Sequence, residues 1–277
     1  MSSRHSARYL PLLAGALLCR TLPGQTAPDV AQDRKDQRVF KNPFAQTFAF
    51  WFEFDNSRPI GDYSRVQNLF SLTSIVPIPL GTRWDVITKS AISAVSQPDL
   101  MNPRGSAWKL SDLTTKFYFS PDKKGTLQWG VGPTFLLPTA TGQDVGNGKW
   151  GVGPAGAVFA EPEKWTLGLE ISDLKSFAGD RTRPDVHYLS LQYFVTYNVS
   201  KGWYVTTQPQ TSADWTVSRE DRWLMPIGLG VGKAVTFGKR QVSCELDGYY
   251  SLVHPTTLPY PKWVLTLQFT FARQNFL

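Results

Sequence analysis

After its first few dozen residues the chain of 277 residues has no apolar run long enough to cross a bilayer as a helix, which takes about 20 residues. A helical membrane protein is thereby excluded. Cysteine is nearly absent: of Cys19 and Cys244, the first falls in a leader-like segment, so the remaining chain has no internal disulfide to rely on. Histidine is equally scarce, with three in all, and no His, Cys and Asp cluster has metal-ligand spacing. No cofactor is expected. Charged residues make up 18% of the chain, below the usual quarter. The formal net charge of +7 falls to +4 once Arg4, Arg8 and Arg20 leave with the leader. The rest are scattered in both signs, with no basic stripe to suit nucleic acid.

What the chain does have is aromatics at 13%, with 22 Gly and 20 Pro spread along its length. Met1–Arg8 carries arginines and no acid, Leu10–Leu18 is apolar, and Thr21–Ala27 is small and polar. That is the plan of a secretory signal. Residues 1–27 are therefore expected to be a signal peptide, 28–46 a charged, mobile lead and 47–277 the folded domain. Cys19 follows a large Leu18, which argues against a lipoprotein signal.

From Thr47 the sequence alternates with period 2. Phe48, Phe50, Phe52 and Phe54 point one way, Ala49, Trp51 and Glu53 the other, as in a strand with unlike faces. Further strands are expected at about 66–76, 82–92, 110–120, 125–137, 149–160, 163–172, 187–198, 202–211, 224–237, 240–251 and 262–271. Connections alternate between short (Pro77–Gly81, Pro121–Lys124, Glu161–Pro162, Ser200–Lys201, Gly238–Lys239) and longer polar ones near 55–65, 93–109, 138–148, 173–186, 212–223 and 252–261. The fold class is all-β: a closed antiparallel transmembrane β-barrel of about 12 strands. It is expected in a bacterial outer membrane, with short periplasmic turns, long outer loops and both termini periplasmic. A soluble sandwich has no reason to sort its loops by parity.

Tryptophan placement agrees. Trp84, Trp129, Trp165 and Trp203 follow short turns, and Trp108, Trp150, Trp223 and Trp263 stand where strands leave long loops. Two rings of indoles at headgroup level are expected at the edges of an apolar band. The final strand, Trp263–Phe271, has the alternation of an insertion signal, so outer-membrane lipid and the assembly machinery of that membrane are the expected partners. Either a short tail overruns Phe271 or a bulge brings Phe276 to the terminal place.

Parity assigns Leu127, Trp129, Val131, Leu167, Leu169 and Ile171 to lipid, and Gln128, Thr134, Thr166 and Glu170 to the interior. Gly130, Gly132, Gly151, Gly153, Gly228, Gly230 and Gly232 share the inner face and are expected to keep that wall flat. They do not open helices after strands, which removes a nucleotide-binding reading. Inward charges are expected to be Glu53, Arg83, Asp85, Lys89, Asp112, Lys116, Glu170, Glu245 and Asp247, because charge facing lipid costs several kcal/mol near the midplane. Two readings of a mixed-sign lumen stay open: paired charges that plug the barrel, or opposed ladders that line a narrow pore.

The stretches Trp129–Gly142 (WGVGPTFLLPTATG) and Gly148–Pro154 (GKWGVGP), with Ser176–Gly179, Tyr197, Gly202–Tyr204, Ala213–Trp215 and Pro226–Lys233 (PIGLGVGK), run in order through most of residues 66–271. In these the chain resembles the family called "MetA pathway of phenol degradation". Lys109–Leu113 (KLSDL) departs from that family's more Gly-rich turn. The resemblance implies a transporter-like outer-membrane barrel loosely linked to aromatic compounds, with no catalytic residues. An enzyme is not expected: His187 and Ser190 are three apart, which puts them on opposite faces of a strand, whereas a lipid hydrolase needs them within hydrogen-bond reach. His187 and His254 are expected to be solvated at loop edges. The expected function is a narrow channel or passive transporter for small, aromatic or hydrophobic solutes. The alternatives are a structural or interaction barrel with a closed lumen and, disfavoured, an outer-membrane lipid hydrolase.

Overall fold

A computed structural model describes residues 41–45, 47–60, 64–99, 105–122, 125–237, 240–257 and 260–274. The signal segment and residues 28–40 of the lead lie outside these, as does Phe276. The strands are β1 (Thr47–Ile60), β2 (Arg65–Leu80), β3 (Trp84–Pro98), β4 (Ser106–Leu110), β5 (Leu113–Pro121), β6 (Leu127–Leu137) and β7 (Lys149–Ala160). They continue as β8 (Trp165–Gly179), β9 (His187–Ser200), β10 (Trp203–Thr207), β11 (Gln210–Asp214), β12 (Trp223–Phe237), β13 (Arg240–Val253) and β14 (Trp263–Gln274).

All pairings are antiparallel, and β1 pairs with β14 from Thr47↔Gln274 to Arg58↔Trp263, so the sheet closes. Two of the barrel strands are each built from two segments. β4 and β5 both pair with β3 on either side of Ser111 and Asp112, and β10 and β11 both pair with β9 and β12 on either side of Gln208 and Pro209. Pro209 has no N–H to give the ladder. Counted around the wall, the fourteen segments make twelve strands. Closure pairs the wall's backbone groups, the condition for strands to sit in hydrocarbon.

Period-2 patterning turns the greasy side out. Leu127 and Leu229 are 61% and 66% exposed, while Thr134, Thr166, Thr196 and Thr206 on the opposite face are buried. Around the outside, Trp84, Trp129, Trp165 and Trp203 stand beside the short turns, and Trp108, Trp150 and Trp263 at the opposite edge, all exposed. Trp223, at that second edge, is half-covered by the Trp215 ring 5.9 Å away.

The barrel thus has a turn end, which carries both strand termini Thr47 and Gln274, and a loop end. At the turn end, Lys201 and Gly202 have φ of 51° and 79° between the paired Ser200 and Trp203. Two positive φ values make the turn that matches strand twist. At the loop end the strands run further than the sequence suggests. β1 continues to Ile60, β3 to Pro98 and β8 to Gly179, so the connections shrink to 61–64, 99–105, 180–186, 215–222 and 254–262, while that at 138–148 keeps its length. Loss of alternation at these sites marks where the wall leaves the apolar band, not where pairing stops, because a backbone ladder needs no apolar face. β14 runs to Gln274 without a register shift against β1, so no bulge lies between Trp263 and Gln274.

Candidate functional site: the barrel lumen

The inner face has three levels. Near the turn end it is aromatic: Tyr118, Phe159, Phe194 and Tyr204 are all 2% exposed or less. The glycines opposite explain how these rings fit. A Cβ on Gly168 would lie 2.3 Å from the Phe159 ring, and one on Gly232 2.2 Å from that of Tyr204. The flat wall thus seats rings from neighbouring strands and does not widen the lumen at this level.

Residues 41–45 fill the remaining gap. This corrects the expectation of a mobile lead for these positions. Phe44, 4% exposed, packs edge-on against Tyr118 and Phe159 at centroid distances of 5.8 and 6.0 Å. It fits because Gly130 has no side chain: a Cβ there would lie 2.7 Å from its ring. Asn42 donates to Gln128 and Glu161 at 2.5 and 2.8 Å. The Lys41 ammonium lies 2.7–2.8 Å from both Glu245 oxygens and donates to Gln208 at 3.0 Å. Lys41 and Glu245 are 2% and 1% exposed, and an unpaired charge at that depth is costly.

The middle level is charged. Against β1 and β14, Glu245 and Asp247 of β13 cluster with Glu53 and Asp55, and the Thr266 hydroxyl donates to Asp55. Gln208 links Glu245 and Gln268 at 2.8 and 3.0 Å. On the other wall, Lys89 and Lys116 donate to the two oxygens of Glu170 at 2.8 and 2.5 Å. Lys89 also stands 5.1 Å above the Trp51 ring.

Of the nine charges that parity turned inward, Glu53, Lys89, Lys116, Glu170, Glu245 and Asp247 meet in these clusters, and Asp85 is buried near the turn end. Arg83 does not reach the lumen. It is exposed in the turn before β3, where its carbonyl accepts the Asp122 N–H at 2.8 Å, since strand parity begins only at Trp84. Asp112 sits in the break between β4 and β5, and its carboxylate is occupied by the N–H groups of Ala140 and Asn147 at 3.0 and 2.5 Å. It anchors the 138–148 loop.

Above the charges, a cavity of about 830 Å³ extends to the loop end, from Trp51, Lys89, Lys116 and Glu170 past Leu136 and Leu174 to Arg183 and Val217. At its mouth Arg183 donates to the carbonyls of Gln143, at 2.6 Å, and Gly146, bracing one loop on the next. Lys109, 2.7 Å from Asp144, holds that loop carboxyl below the usual range. Asp221 is pulled down to about 2 by the Thr257 N–H and hydroxyl and the Thr256 N–H, which donate to it from the adjacent loop.

His187 lies at the loop edge, its Nε2 3.3 Å from Asp173 Oδ2 and its ring beside Trp215. Ser190 lines the cavity on the inner face, so the two are not brought together. His254 Nδ1 is 2.8 Å from the Pro255 carbonyl. Among the described residues no group of His, Cys, Asp and Glu could hold a metal ion.

No protein-family model and no curated protein matches the chain. Among solved structures it is similar to an outer membrane channel from Pseudomonas putida F1, with a TM-score of 0.60 and 14% identity over 82% of this chain and 95% of that one. More distant are the CymD monoaromatic hydrocarbon channel (TM-score 0.45, 7% identity, 87% and 93% covered) and the beta domain of the Bordetella autotransporter BrkA (0.43, 10%, 81% and 98%). At these identities the likeness is one of fold, and it agrees with the closed twelve-stranded antiparallel transmembrane barrel built above.

Proposed function

We propose that the chain is a channel for small solutes in a bacterial outer membrane, with its loop end outside, both termini periplasmic and residues 41–45 as a removable internal stopper. Outer-membrane lipid is its surroundings, and the assembly machinery of that membrane its partner during insertion. The observation that carries the reading is the cavity of about 830 Å³, which runs inward from the loop end as far as Trp51, Lys89, Lys116 and Glu170, with the chain's own N-terminal segment packed among the rings nearer the turn end. A void of this size is in the range that encloses a small organic molecule. A stopper made of a separate stretch of chain is able to leave without opening the hydrogen-bonded wall. The resemblance to the phenol-degradation family supports a solute with an aromatic body.

A second reading, a permanently closed interaction barrel, is favoured by the buried rings of Tyr118, Phe159, Phe194 and Tyr204 at the turn end. Planar-bilayer recording separates the two. The channel reading expects rare openings from the intact protein and frequent ones from a Lys41→Ala, Phe44→Ala double variant. Folded barrels that stay silent in both forms, and liposomes that take up no solute, would refute it.

A further inference from the structure

Lys89 and Lys116 stand directly opposite each other on β3 and β5. Like charges in register on neighbouring strands repel, so this pairing needs a counter-charge. One carboxylate supplies it. Glu170 reaches both ammoniums from β8, two strands beyond β5's neighbour β6. The crossing is open because the intervening inner wall is small: Gly132 and Ala155 are paired, as are Gly130 and Ala157, and Ala157 pairs with Glu170 itself.

Two cations thus share one anion. Among the described residues each ammonium gives a single hydrogen bond, to Glu170, and an ammonium has three donors. The remaining donors lie at the floor of the cavity, with the hydroxyl-bearing Thr114, Thr134 and Ser172 on the same lining. Beside them the lining turns apolar at Trp51, Leu136 and Leu174.

We infer that this floor binds the carboxylate of a small organic monoanion, held between Lys89 and Lys116 with its apolar body against Leu136 and Leu174. The two ammoniums carry one positive charge in excess of Glu170, which a single carboxylate answers and a second does not. The inference rests on the cavity being the solute path of the proposed channel. It narrows the solute from any aromatic or hydrophobic molecule to one carrying a single negative charge, because a neutral hydrocarbon would leave the ammonium donors unanswered.

The test is calorimetric titration of the detergent-solubilised full chain with sodium benzoate, benzyl alcohol and benzylammonium, three bodies of one shape and different charge. Benzoate is expected to bind saturably and the other two not. Lys116→Gln, which leaves a neutral Lys89 and Glu170 pair, is expected to weaken benzoate about tenfold or more, the worth of one charge-assisted hydrogen bond. Glu170→Gln, which removes the carboxylate competing for both ammoniums, is expected to tighten it, an improvement that mere structural damage does not produce. Benzoate that binds no better than benzyl alcohol, or equally well to Lys116→Gln, overturns the inference. Binding needs no conduction: a silent bilayer with benzoate still bound sinks the channel reading alone, and a conducting barrel that ignores benzoate sinks this one alone.

Discussion

Phe44→Ala is the perturbation that asks most of the stopper. The side chain is 4% exposed and sits between the rings of Tyr118 and Phe159, on a surface left bare by Gly130. Truncating a phenylalanine so enclosed costs about 3 kcal/mol at the low end. That cost falls on docking of residues 41–45 and not on the wall, since β5, β6 and β7 keep their ladders without Phe44. About 3 kcal/mol corresponds to roughly a hundredfold rise in the undocked population, read as open probability in single-channel recordings. Gly130→Ala provides the converse. It leaves Phe44 intact but puts a methyl 2.7 Å from its ring and 2.9 Å from the Cβ of Tyr118, and should also raise the open probability. Two folded variants whose openings match those of the unaltered protein would refute the reasoning. The seal would then belong to the wall rings themselves.

The loops yield three further expectations. Asp221→Ala should release the clasp between the 215–222 and 254–262 loops, with faster hydrogen exchange at the Thr256 and Thr257 amides. In the unaltered protein the folded carboxyl ionises lower than an unfolded one. The clasp should therefore be whole above about pH 4 and fail as pH falls through about 2, and exchange that quickens near pH 6 would contradict this. Asp112→Ala strips two loop N–H groups of their acceptor, a loss of about 2 kcal/mol, and should expose the 138–148 loop to limited proteolysis while the barrel resists. Arg183→Ala frees the same loop from its neighbour and is expected to raise the conductance of open events, because the brace stands at the cavity mouth; unchanged conductance would place the narrowest point deeper.

The wall was readable because period-2 alternation is local. Phe48, Phe50 and Phe52 announce β1, and its partner β14 alternates as cleanly, so faces, strand number and closure follow from neighbours two residues apart. Strand ends were not readable, since the ladder continues past Ile60 and Gly179 whatever the side chains meet. Parity also failed where a strand is interrupted or has yet to begin, and so misplaced Asp112 and Arg83. It hid the inner rings where both faces carry aromatics, as around Tyr118 between Phe117 and Phe119.

Least legible was the stopper. Lys41 stands in a stretch that reads as solvated lead, and its burial is decided by Glu245, 204 positions away. Nothing within reach of a sequence window marks that partnership, because the acid on β13 looks like any inward charge. The two lysine arrangements are therefore of different kinds. Lys89 and Lys116 are fixed in a rigid wall and share one carboxylate, which leaves donors for a guest. Lys41 arrives on a tether and meets an excess of acids. Withdrawing it uncovers negative charge on one side of the lumen while the positive floor on the other stays in place. An anion passing from that floor toward the turn end would then meet Glu245 without its Lys41 partner, so withdrawing the segment to open the path sterically would also raise its electrostatic barrier. Passage of a monoanion is favoured when Lys41 swings aside only far enough to free Phe44 from the rings and keeps its ammonium near the acids. Phe44→Ala should accordingly increase benzoate flux more than Lys41→Ala does, even where both open the barrel to neutral solutes.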